Sequence, residues 1–140
     1  MRIVIDTSVL VASLRSRTGA ANALLRLVAQ GKLTPLATTA LFLEYEAVLK
    51  RKEQRLAHGL NLNEVDLFLG ALASASKVVD VSFRWRPQLK DANDEMVLEA
   101  AVNGQADALV TFNIRDFRDV EKRFGPRVLR PGELLKELGL

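Results

Sequence analysis

Short, wholly apolar runs alternate along this chain with stretches of helical period, and that alternation restricts the fold more than any other feature. Arg2-Ile3-Val4-Ile5 reads as a buried strand, and a short helix follows with Val9, Leu10 and Leu14 as its apolar residues. Residues 20–30 form a second helical segment with Leu24, Leu25 and Val28 inward, and Gly31 is its expected stop. Residues 33–37 are expected to form a second strand, and a long helix is expected from Thr39 past Lys50. Asn63 reads as the N-cap of the next helix, with Asp66 three residues on and Leu67, Phe68 and Leu72 behind it. Residues 78–81 make another short strand, and Asp91 caps a helix over about residues 94–103 that Gly104 ends. Ala108-Leu109-Val110 and Arg127-Val128-Leu129 are the last strands, and Pro131 opens a final helix at its first position. Strands that alternate with helices predict an α/β fold, with a parallel sheet covered by helices on both faces.

At 140 residues, with no repeat and no linker, the chain is expected to form one domain over residues 1–140. The apolar run at the N-terminus is interrupted by Asp6, and no apolar stretch approaches the roughly 20 residues of a membrane span. The expectation is a cytoplasmic protein with no membrane contact. Cysteine is absent and His58 is the single histidine, which excludes a thiolate site and a zinc site built on several histidines.

The acidic residues carry the chemistry. Asp6 directly follows the first strand, and Thr111, Asn113 and Asp116 directly follow the strand at 108–110. Ligands collect at the carboxyl ends of strands in such sheets, so Asp6 and Asp116 share a crevice if these strands are neighbours. The competing reading makes Asp6 a simple helix cap. Glu44 has Ala40, Leu41, Ala47 and Val48 as its helical neighbours, which projects its carboxylate from an apolar face. A buried carboxylate needs a cation or a donor, and a structural salt bridge to a buried arginine would serve as well as a metal. Asp94 has Val97, Leu98 and Ala101 on its face and lies in the first helical turn, where it could instead partner Asp91 in a cap. Glu46 faces Lys50 at i+4 and reads as an ordinary surface pair. Four acids without nitrogen or sulfur partners select Mg²⁺ or Mn²⁺, which suits phosphate chemistry.

Net charge is +3, from 20 Lys+Arg against 17 Asp+Glu, and decides little by itself. Two clusters are candidates for phosphate contact: the run Lys50, Arg51, Lys52 and Arg55, and the segment Arg84-Trp85-Arg86. The competing readings are a solvated helix face for the first and a packed rim tryptophan for the second.

Four segments together resemble PIN domains, specifically the VapC-like branch of toxin components of toxin–antitoxin systems. They are IVIDTSVLVASL at 3–14, LFLEYEAVL at 41–49, RWRPQLKDANDEMVLEAA at 84–101 and ADALVTFNIRDF at 106–117, and they span nearly the whole chain in order. The resemblance implies a three-layer α/β/α fold with a mostly parallel central sheet, and hydrolysis of RNA phosphodiester bonds with Mg²⁺ or Mn²⁺. It makes Asp6, Glu44 and Asp94 the family's first three acids and puts Asp116 on a further acid of the last loop. Ser8 and Thr111 match polar positions that hold the acids or a water. Asn113 stands where many PIN domains carry a fourth acid, which leaves open one metal ion or two. Arg84 and Arg86 are candidate RNA contacts. An antitoxin protein and a homodimer are the implied partners. The alternative is a catalytically inactive PIN module that binds RNA or a protein partner. An aspartyl phosphatase is disfavoured, because Ser8 stands where a second aspartate would be needed, and no Gly-rich nucleotide loop is present.

Overall fold

The computed structural model describes residues 1–82 and 91–140. Five strands run parallel in the order β3-β2-β1-β4-β5, with β1 (Arg2–Ile5) at the centre. β2 (Thr34–Ala37) lies on one side of it, with β3 (Lys77–Val78) at the edge beyond. β4 (Ala108–Val110) lies on the other side, followed by β5 (Arg127–Leu129). Ile3, Val4 and Ile5 face Ala108, Leu109 and Val110 across the central pair, and all six are buried. Strands shut in on both faces are apolar throughout, which explains the unbroken runs in the sequence.

Parallel neighbours need crossovers, and helices supply them. α1 (Thr7–Arg15) and α2 (Ala20–Ala29) join β1 to β2. α3 (Thr39–Leu49), α4 (Lys52–His58) and α5 (Leu62–Ala75) join β2 to β3. α6 (Ala92–Asn103) precedes β4, a 3-10 turn (Ile114–Phe117) and α7 (Arg118–Phe124) lead to β5, and α8 (Pro131–Glu137) follows. α1 packs on α2, α3 and α4, α2 on α5 and α8, and α3 on α6, giving the expected three-layer α/β/α architecture.

Three local expectations need correction. The helix from Thr39 does not run past Lys50: Arg51 is extended and α4 starts anew. Side chains of α4 fold back to satisfy the carbonyls stranded at that break. Arg55 Nε donates to the Lys50 carbonyl at 3.1 Å, and His58 Nε2 lies 3.0 Å from the Leu49 carbonyl. Asn61, not Asn63, caps α5. Its side chain accepts from Glu64 N–H and its own N–H donates to Glu64, at 2.8 and 3.1 Å. Asp66, the expected partner of Asn63, is instead paired with Lys50 at 2.7 Å. The strand expected at 78–81 forms at Lys77–Val78, although Val79 N–H still bonds the Ala37 carbonyl.

Gly104 ends α6 as expected, for a packing reason. A Cβ there would lie 2.8 Å from the Ala100 carbonyl and 2.9 Å from both Leu36 and Val79. Only glycine lets the end of α6 sit this close to β2. Among the described residues, no helix is long and apolar enough to cross a membrane.

Candidate metal centre

The sheet reverses its direction of growth between β1 and β4, and a crevice opens at the carboxyl ends of strands at such a point. Asp6 is the residue after β1 and Thr111 the residue after β4. Asp6 N–H extends the ladder to the Val110 carbonyl at 2.9 Å, so the two side chains emerge side by side.

Asp6 is buried, at 6% exposure. Thr111 Oγ1 donates to its Oδ2 at 2.7 Å and Ser8 Oγ donates to the same oxygen at 3.1 Å. Thr111 Oγ1 in turn accepts from Asn113 N–H at 2.9 Å, which commits the hydroxyl proton to Asp6. Both hydroxyl donors converge on Oδ2. The carboxylate closes no capping hydrogen bond, although the Thr7 and Ser8 amides favour its charge. Asp6 thus stands at the N-cap of α1 and is also tied to the end of β4. Burial nevertheless outweighs these donors and raises its pKa.

Asp94 lies in the first turn of α6 and is 7% exposed. Burial pushes its carboxyl up to about 7, and the charges of Asp6, Asp91, Asp116 and Glu95 push the same way. Asp91 caps α6 by accepting from Asn93 N–H at 2.8 Å, as its position in the sequence suggested. Asp116 is exposed on the 3-10 turn, and Asn113 is the exposed residue preceding that turn. Asp94 thus lies within electrostatic reach of both Asp6 and Asp116.

Glu44 is half-buried rather than shut in. Leu41 and Val48 are buried beside it, but Ala40 and Ala47 are exposed. It is not among the charges acting on Asp94. Among the described residues it forms no ion pair with an arginine. Among those residues, no three acids converge closely enough to enclose a metal ion. Arg84 and Arg86 lie outside the described residues. In the other basic run, Lys50 is held by Glu46 at 3.2 Å and by Asp66, and Arg55 by the Lys50 carbonyl, so both are engaged within the fold.

Sequence reasoning missed Tyr45. It is buried, its hydroxyl donates to the Ile5 carbonyl, and it packs edge-on against Phe42. Its ionisation is suppressed by burial first and by the Asp6 charge second. Tyr45 thus ties α3 to the strand end that carries Asp6. The available signal was the stripe Leu41, Tyr45, Val48, Leu49, in which a buried phenol requires an acceptor. Glu95 and Glu99 of α6 are also buried and were likewise missed.

In donor chemistry, though not in closeness, these acids suit a hard divalent cation. The donors are carboxylate oxygens; burial first and their charges second raise Asp94, and no lysine or arginine among the described residues pairs with Asp6, Asp94 or Asp116.

The fold is a parallel α/β sheet with Asp6 and Thr111 at its switch point and Asp94 within electrostatic reach. The family model described as PIN domain matches residues 2–115, and the chain belongs to the PIN domain family. In fold it is similar to a chain in the crystal structure of VapBC2 from Rickettsia felis bound to a DNA fragment from their promoter. The TM-score is 0.58 and the identity 22%, over 93% of this chain and 98% of the other. No curated protein matches it.

Proposed function

We propose that this PIN domain is a divalent-metal-dependent endoribonuclease of the cytoplasm, and the toxin of a toxin–antitoxin pair. The observation that carries the reading is the buried Asp6 and Asp94 with Asp116 beside them, whose charges add to burial in raising Asp94 and are met by no ion pair among the described residues. These three, with Glu44 at the margin, would hold Mg²⁺ or Mn²⁺, which supplies charge to polarise a phosphate and activate a water. Thr111 and Ser8 fix the Asp6 carboxylate by engaging one of its oxygens. Tyr45 fixes the strand end beneath it. Likeness in fold to a chain of VapBC2 supports an antitoxin as partner. A homodimer stays a proposal from family likeness.

The test is cleavage of a generic single-stranded RNA with Mn²⁺ or Mg²⁺. Cleavage is expected from the wild type, none with a chelator, and a loss of at least about 100-fold in Asp94→Asn. Equal activity in Asp94→Asn, from preparations free of contaminating nuclease, would overturn the assignment. The second reading, an inactive module that binds RNA or a protein, is favoured by the absence of three acids at metal-holding distance among the described residues. RNA binding without cleavage under any divalent metal would establish it.

A further inference from the structure

An acidic crevice repels the polyanion it is proposed to cut, so cations must stand at its edge. One cleft of about 70 Å³ opens where α7 meets α6, lined by Leu98, Arg115, Asp116, Asp119, Val120, Arg123 and Phe124. It shares two features with the metal centre. Asp116 lines it and also acts on Asp94. Leu98, on its floor, lies one helical turn beyond Asp94 on the same face of α6. Arg115 and Arg123 are exposed, and neither joins an ion pair among the described residues, whereas Lys50, Arg127 and Arg130 each have a carboxylate partner. The Arg123 guanidinium instead lies 5.2 Å from the centre of the Phe124 ring, which orients it without neutralising it.

We propose that Arg115 and Arg123 hold a backbone phosphate of the RNA strand beside the one at the acids. The inference rests on the ribonuclease reading and adds a subsite to it. Guanidinium groups suit the role because each presents a planar fork of donors to phosphate oxygens. The two arginines and the two aspartates of the cleft cancel in formal charge, so the cleft is no general sink for anions. A metal ion on Asp116 would leave Asp119 alone against two arginines, which favours a phosphate on a strand already seated at the metal.

The experiment measures binding of a short single-stranded RNA by fluorescence anisotropy across a range of salt. Asp94→Asn is the parent, so that RNA is not consumed. Adding Arg115→Ala with Arg123→Ala is expected to weaken binding about tenfold at low salt. It should also flatten the log–log salt slope by about 0.7 for each phosphate that the arginines no longer neutralise. Arg118→Ala, which removes an exposed cation of α7 outside the cleft, is expected to change little. Thermal melting checks that each variant folds. An unchanged slope in the double variant, or an equal loss from Arg118→Ala, would overturn the subsite alone. A parent that binds no RNA would overturn the subsite, and a wild type that also fails to cut would remove the ribonuclease reading beneath it.

Discussion

Asp94 is the residue whose state the fold most alters. In the unfolded chain it ionises near 3.8, and in the folded metal-free protein near 7. Below about pH 4 both states carry the proton and the fold loses nothing to it. Between 4 and 7 the unfolded state ionises first, so stability falls as pH rises through the folded value, and above it the loss is complete. The rise of Asp6 acts in the same direction. A pKa difference of one unit corresponds to about 1.4 kcal/mol. Asp116 is exposed and the crevice meets solvent, so screening reduces the expected total to about 1–2 kcal/mol. Urea denaturation in chelator should therefore find Asp94→Asn close to wild type at pH 4 and more stable by about that amount at pH 8. A wild type that gains stability relative to the variant over this range would contradict the placement of Asp94. The sequence made Asp6 and Asp94 readable because each stands at a defined place, one at a strand end and one in a first helical turn. Glu44 was half readable. Its alanine neighbours counted as apolar, but an alanine can be apolar and still face water, and Tyr45 occupies the inward stripe.

The elements show a different kind of ambiguity. Asn61 and Asn63 each have an acid three residues on, so two overlapping patterns compete to start α5. Local spacing does not choose between them. In the fold Asp66 pairs with Lys50, at the end of α3, and Glu64 closes the box with Asn61. Asn61→Ala should lower stability by about 1 kcal/mol, whereas Asn63→Ala should fall within about 0.5 kcal/mol of wild type. Equal effects in chemical denaturation would mean that the helix starts elsewhere. The break between α3 and α4 is likewise not visible in local spacing. The run from Thr39 onward has no proline or glycine before Gly59, and the break is held by Arg55 and His58 reaching back from beyond it.

For the molecule as a whole, the alternation of runs revealed an α/β class with parallel strands, but not which strands would touch. That information is spread over the entire chain, and the pairing of β1 with β4 is what makes a crevice of Asp6 and Thr111. On the proposed reading, a divalent ion binds this assembled crevice and not the unfolded chain. Mn²⁺ at about 100 times its dissociation constant should then stabilise the protein by roughly 2.7 kcal/mol, seen as a rise in Tm. Asp6→Asn should lose most of that rise, and an equal response in both proteins would show that Asp6 takes no part.

The hydrogen bond from Thr111 to Asp6 joins residues 105 positions apart. A ribosome making this chain releases β1 and Asp6 first, long before their neighbouring strand has been synthesised. Asp6, Glu44 and Asp94 can all have left the exit tunnel while β1 still lacks β4. Truncated products that stop before Ala108 carry three of the acids and no crevice in which to use them. For a ribonuclease, synthesis itself then works as a safety delay. On the proposed reading, the messenger being read would be out of danger from its own product until β4 is in place.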